Sequence, residues 1–245
     1  APAPPPPPPP HITPPGAGKW VAVWWSVVRV CCRLRSESDI LVARSPDAGA
    51  TWTAPEPLNT NAGSDSQGDS YSQVTTDGVG NWVAVWQSND NLDGTVGDDW
   101  DILVSRTTDS GVTWSAPAPC NTNANSDSGH DRHPEVTTDG AGNWVAVWFS
   151  EDNLDGTIGT DADVLVSRST DAGATWTTPD QLNTNAGSDS QDDSKTQVTN
   201  DAVGNWIEFG RSSCRVGGKI GWDWGVVMSR WAVGGGWGGG GAGRG

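Results

Sequence analysis

The octet SPDAGATW at residues 45–52 returns as TTDSGVTW at 107–114 and as STDAGATW at 169–176, each copy 62 residues after the last. A fixed period of this length confines the chain to a repeat architecture, because every unit must bury its apolar face against its neighbours in the same way. The frame extends beyond the octet. Gly18-Lys19-Trp20, Gly80-Asn81-Trp82, Gly142-Asn143-Trp144 and Gly204-Asn205-Trp206 keep it, and so do Arg44, Arg106, Arg168 and Arg230. Units at about 11–72, 73–134, 135–196 and 197–245 take up nearly all of the 245 residues, behind a proline-rich tail at 1–10. We read residues 1–245 as one domain.

One unit reads as four short strands. QVTT, from Gln73, ends at Asp77-Gly78. NWVAVWQS follows, with Trp82, Ala84 and Trp86 on one side and Val83 and Val85 on the other. Both faces are then apolar, as in a strand held between two sheets. DILVSRT is the third strand, and a fourth starts at Thr113-Trp114 and fades at Ala116-Pro117. Turn residues separate each pair, and no stretch carries a helical period. The expectation is an all-β chain, a β-propeller of four-stranded antiparallel blades with about four repeats. The alternative is part of a six-bladed ring.

The octet closes the turn between strands three and four. Its hydroxyl and carboxylate bond nearby backbone: Ser45 with Asp47, Thr107 with Asp109, Ser169 with Asp171. Gly49, Gly111 and Gly173 supply positive φ. Trp52, Trp114 and Trp176 cover the hairpin base. With this pattern, S-x-D-x-G-x-T-W, the chain resembles the Asp-box (bacterial neuraminidase repeat) family of sialidase-like propellers. The resemblance implies that the boxes are fold elements, remote from any catalytic pocket.

Composition sets limits on partners. The region from Asn59 to Asp201 carries 24 acids against 4 bases, while the rest has 6 acids and 10 bases. A field of that sign repels phosphate, so nucleic acid is excluded as a partner, and basic protein surfaces and cations are favoured. No apolar run is long enough to span a membrane. Thirty-two glycines lower the apolar fraction to 34%, but 16 tryptophans supply the missing core surface. The four cysteines follow no zinc spacing; Cys120 takes the place of Leu58 and Leu182. Two segments, 27–35 and 207–245, keep the frame and lose its residue types, and no site is placed in either.

Strand parity puts the octets and the DGVGN-type turns on one face and the long acidic connections on the other. The second face is the candidate functional face, because loops on a rigid scaffold carry binding groups. Asn89, Asn91 and Asp93 before Gly94, and Glu151, Asn153 and Asp155 before Gly156, resemble half of a calcium loop, with oxygens at alternate positions. Asp98, Asp99 and Asp101, or Asp161 and Asp163, complete the oxygen set; the expected cofactor is Ca²⁺. His130 and His133 stand three apart without a third ligand at diagnostic spacing. Arg132-x-Pro134 resembles the Arg-Ile-Pro motif of sialidases, with His133 in place of Ile and no aromatic residue before the arginine. A sialidase also needs two more arginines and a Tyr–Glu nucleophile, and this chain has one tyrosine, Tyr71. The weak catalytic set is therefore Arg132, Asp131 and Tyr71.

These features point to a non-catalytic, exported binding or scaffold module, located outside the cell, in the periplasm or on the cell surface. Its partner is a protein or glycan on the acidic loop face. The basic, glycine-rich end beside an acidic body suggests a subunit of a larger complex. The alternative is a sialidase-like exo-glycosidase.

Overall fold

The structure is a computed structural model, and it describes residues 11–13, 18–27, 37–63, 67–182, 186–187, 192–200, 205–212, 215–216, 219–220 and 231–232. Three sheets of four antiparallel strands follow one another along the chain. The first holds β1 (His11–Thr13), β2 (Trp20–Ser26), β3 (Asp39–Ser45) and β4 (Glu56–Pro57). The second holds β5 (Asp69–Thr76), β6 (Trp82–Ser88), β7 (Asp101–Thr107) and β8 (Ala118–Pro119). The third holds β9 (Asp131–Thr138), β10 (Trp144–Ser150), β11 (Asp163–Ser169) and β12 (Asp180–Gln181). In each, strand order equals chain order, as in an up-and-down blade.

A fourth sheet pairs β13 (Asp193–Asn200), β14 (Asn205–Ser212) and β17 (Trp231–Ala232), with a separate ribbon of β15 (Arg215–Val216) and β16 (Lys219–Ile220). Trp206 pairs with Trp231 as Trp144 pairs with Ser169, so the 62-residue register persists. Segment 28–36, most of 207–245 and Cys31, Cys32 and Cys214 lie outside the described residues or their described side chains.

Alternation in the second strand of each blade builds the core between blades. Trp82, Ala84 and Trp86 pack with Val21, Val23, Ile40, Val42 and Leu58 of the first blade. The opposite side of the same strand, Val83 and Val85, packs with Trp144, Ala146 and Trp148 of the third. Large rings on one face therefore meet β-branched side chains on the next. At about 25 cal/mol per Å² of apolar area, this burial is the main term holding successive blades together. Cys120 is a buried free thiol in this core, where the neighbouring units place Leu58 and Leu182.

Two boundaries differ from the sequence expectation. The fourth strand is not at Thr113–Ala116 but is the two-residue β8, pairing Leu103 with Pro119 and Val104 with Ala118. Ser115 donates one bond to Arg106 O, but Pro117 and Pro119 bring no N–H, so the outer edge cannot sustain a ladder. The first strand begins four residues before Gln73, at Asp69, because a β-bulge carries pairing past Tyr71 and Ser72.

Candidate functional site

The octet turns form as their residues require. Asp109 Oδ1 accepts from Thr107 Oγ1 (2.6 Å) and Thr113 N (2.9 Å), and Oδ2 accepts from Thr113 Oγ1 (2.6 Å). Asp47 and Asp171 repeat the arrangement with Ser45 and Thr51, and with Ser169 and Thr175. These donors hold the Asp109 carboxyl far below the ordinary range, the hydroxyl of Thr107 first among them. Those of Asp171, led by Thr175, hold its carboxyl at about 2. Gly111 and Gly173 have φ of +83° and +75°, and a Cβ there would meet Val21 Cγ2 at 2.9 Å and Val83 Cγ2 at 2.6 Å. The turn is thus also an inter-blade contact. Trp114 and Trp176 pack against the two inter-blade cores, whereas Trp52 of the first blade is exposed.

The opposite face has another repeated device. Asn121 donates through Nδ2 to Asp101 Oδ1 (2.8 Å) and Asp131 Oδ2 (2.6 Å), and its Oδ1 accepts from Ile102 N (3.0 Å). Asn59 does the same with Asp39, Asp69 and Ile40 N. One amide therefore ties the first residue of strand three to the first residue of the next blade. Asp101, Asp131 and Asn121 are fully buried. Burial without a countercharge pushes Asp101 up to about 7 and raises Asp131 well above the ordinary carboxylate range. Asp131, expected near a catalytic pocket, is instead a fully buried link between blades.

The candidate calcium loops fold as tight left-handed turns. Leu92, Asp93 and Gly94 have φ of 43°, 58° and 83°, and Leu154, Asp155 and Gly156 match them. Asn91 Oδ1 accepts from Gly94 N and Asn153 Oδ1 from Gly156 N, so these amides hold the turn. Leu92 and Leu154 pack against the cores, which offsets the strain of their backbone. Asn89 accepts from Gly68 N, Asn91 donates to Asp98, and Glu151 pairs with Arg132 at 3.3 Å. Among the described residues, Asp99 and Asp101 are the two of the eleven expected ligands that join a group of three carboxylates, and the third member is Asp127. Asp161 and Asp163 occupy the equivalent places one unit on, where Asp189 lies outside the described residues. The sequence signal for Asp127 was the Ser-Asp-Ser string at 64–66, 126–128 and 188–190, in the same frame as the D-x-D pairs.

The inner strands carry a second feature. Tyr71 and His133 occupy the same place in successive units, each in the bulge of an innermost strand, with φ of 54° and 53°. A positive φ at an aromatic residue is an outlier that the fold must hold in place. The two rings stack at 3.9 Å between centroids, and His133 meets Phe149 at 4.9 Å. His133 N donates to Gln87 Oε1 (3.0 Å), and burial followed by the Arg132 charge lowers its imidazole below the usual range. Tyr71 is 48% exposed. Beneath them Glu135, pushed up to about 7 by burial, accepts from Gln73 Nε2 at 3.3 Å. Arg132, Tyr71 and His133 were legible as residues; the bulge that assembles them was not.

No protein-family model and no curated protein sequence matches the chain. Solved structures do. A Hadza microbial sialidase superposes with a TM-score of 0.54 at 17% identity, over 90% of this chain and 47% of that one. An α-L-arabinanase of Penicillium chrysogenum gives 0.56 at 14% identity, over 84% and 57%. The intramolecular trans-sialidase of Ruminococcus gnavus gives 0.52 at 10%, over 92% and 70%. The chain spans about half the length of the first two. These similarities show the fold: an all-β chain of antiparallel blades of the sialidase-type propeller.

Proposed function

We propose that the chain is a non-catalytic, exported binding module of the Asp-box propeller type, which takes its partner on the face of the long connections. The observation that carries this reading is the repeated strained bulge that stacks Tyr71 on His133, whose ring meets Phe149 in turn, and leaves Tyr71 half in solvent. An exposed aromatic ring on a rigid strand, with a polar rim, fits the apolar face of a sugar or an extended protein segment at low entropic cost. The rim is Arg132 with Glu151. We favour a glycan, because the ledge presents an exposed ring face beside the Arg132–Glu151 pair.

Three features argue against hydrolysis. Asp131 is buried in an inter-blade link, Arg132 already has a carboxylate partner, and Arg44, Arg106 and Arg168 stand at the octet ends of β3, β7 and β11. A three-arginine clamp for a sugar carboxylate cannot be assembled from these positions. The test uses a fluorogenic sialoside and a panel of immobilised oligosaccharides. No turnover is expected, together with retention on one class of glycan that Tyr71→Ala abolishes while the melting temperature holds. Turnover abolished by Arg132→Ala would overturn the reading in favour of a sialidase-like exo-glycosidase. Retention of proteins but of no glycan would assign a protein partner.

A further inference from the structure

The carboxylates at the junction of the second and third blades point to a ligand of their own. Asp99 lies in the connection after β6, Asp101 opens β7, and Asp127 lies in the connection that leads into β9. One carboxylate oxygen from each lies within 4.8 Å of the others. At the outer limit of that spread an ion would sit about 2.8 Å from each oxygen, so a shift of a few tenths of an ångström brings all three to the roughly 2.4 Å at which Ca²⁺ holds its oxygens.

A second observation is independent of the grouping. Asp101 is fully buried; Asn121 takes its Oδ1, and its Oδ2 is buried with no hydrogen-bond partner. Asp99 Oδ2 and both oxygens of Asp127 are likewise buried without a partner. A buried carboxylate oxygen without a donor must hold a proton or a cation, because leaving it bare costs the full desolvation penalty.

We propose that Asp99, Asp101 and Asp127 form an inter-blade site for a hard divalent cation of the Ca²⁺ class, which clips the second blade to the third. All donors are oxygens, and the site sits at an irregular junction of two loops, both of which suit Ca²⁺ better than Zn²⁺. Access is provided. Asp127 also lines a polar cleft of about 590 Å³ between its own loop and the 151–160 connection, with Asp152 and Asp155 on the far wall. Asp152 is held by Asn123 Nδ2 at 2.6 Å and keeps the surroundings negative. His130 is the described cationic candidate nearest the group, and its Nδ1 accepts from Trp100 N. The same three positions recur as Glu37, Asp39 and Asp65 and as Asp161, Asp163 and Asp189, so the device belongs to the repeat. This inference does not depend on the binding role proposed above.

Burial first, and neighbouring carboxylates next, push Asp127 up to about 8 and raise Asp99. Protons and the cation therefore compete, and the site should load more readily as pH rises from 6 to 8. The experiment melts the whole protein at pH 8 in CaCl₂, in MgCl₂ and in excess chelator at matched ionic strength. A Tm rise of roughly 5 °C is expected with free Ca²⁺ at 100 times its Kd. Asp127→Asn should remove most of that rise, whereas Asp93→Asn, at the tip of the β6–β7 connection, should keep it. Tb³⁺ emission excited through tryptophan gives a second readout, displaced by Ca²⁺ and lost in Asp127→Asn. Equal shifts with Ca²⁺, Mg²⁺ and NaCl, or equal loss in the Asp93 and Asp127 variants, would overturn the proposal and leave three protonated carboxyls.

Discussion

Asp101 and Asp109 stand just inside and just beyond the two ends of β7, and the fold treats them in opposite ways. Asp109 is exposed and receives donors from Thr107, Val112 and Thr113, so its carboxyl is held down in the ionised form. Asp101 is fully buried, has one donor, faces Asp99 and is pushed up to about 7. Both recur once per unit, and both connect blades. Among the described residues, the carboxylates of the octet face close turns and have their donors. The other face gathers carboxylates that its own hydrogen bonds do not satisfy. A residue that repeats with the blades need not be inert, and incomplete satisfaction distinguishes a face that can bind from one that only holds the fold.

The largest effect should come from the octet face. Gly173→Ala must place a Cβ 2.6 Å from Val83 Cγ2 at a φ of +75°, against a stiff β-branched neighbour. We expect a loss of roughly 2–4 kcal/mol in chemical denaturation, from backbone strain and overpacking together. Gly49→Ala, where the nearest atoms are Trp20 ring carbons at 3.4 Å, should cost about half as much. Equal losses would mean that φ alone decides, and that the octet is a turn with no role between blades.

Substituting the two aspartates should give effects of opposite sign. Asp109→Ala removes an acceptor that four backbone and hydroxyl groups use, and should cost roughly 1 kcal/mol once solvent screening is allowed for. Asp101→Asn removes a buried charge, and in chelator at pH 8 it should gain roughly 1–2 kcal/mol. With Ca²⁺ present the gain should disappear. A loss in both media would show that the Asn121 link, and not the charge, is what position 101 supplies.

The pH profile separates the faces without mutation. Asp171 has a folded value near 2, below that of the unfolded chain, so its contribution is present above about pH 4 and is lost as pH falls toward 2. Asp101 and Asp127 have folded values near 7 and 8, above those of the unfolded chain. The folded state then binds more protons, and stability should fall as pH rises from about 4 to 8. Melting in chelator should therefore show a maximum on the acid side of neutrality, and Ca²⁺ should flatten the alkaline limb. A profile that is flat from pH 5 to 8 in chelator would count against the buried, under-satisfied state of the long-connection face.

The same contrast explains what the sequence could disclose. Alternation in NWVAVWQS placed Trp82 and Trp86 on one core and Val83 and Val85 on the next, since period two and apolar character are local properties. The octet was legible for the same reason: donor and acceptor lie within five residues of each other. The Asp101–Asn121–Asp131 link joins side chains distant in sequence, and its signal was only that each member kept the 62-residue frame. Asn91 and Asp93 were read as ligands because alternating oxygens look alike whether they cap a turn or hold an ion. The strained bulge at Tyr71 and His133 had no local signature, because the unit that carries it first has a tyrosine there, a residue that does not favour positive φ.

The smallest effect tests whether burial alone accounts for a raised carboxyl. Glu135 lies on inner strand β9, outside the carboxylate group, and its shift to about 7 has burial as its one cause. Gln73 and Gln197 hold the same place in the flanking units, so Glu135→Gln makes the three positions uniform. The amide keeps the shape and can still meet Gln73, so stability at pH 5 should change by less than about 0.5 kcal/mol. At pH 8 the variant should be more stable by roughly 1 kcal/mol, because the wild-type carboxyl must ionise in a buried place. Ca²⁺ should leave that difference untouched, in contrast to the Asp101 and Asp127 variants. If Ca²⁺ erased it, the cation would be acting on the general acidic field, and the distinction between a single buried carboxyl and a ligand cluster would fail.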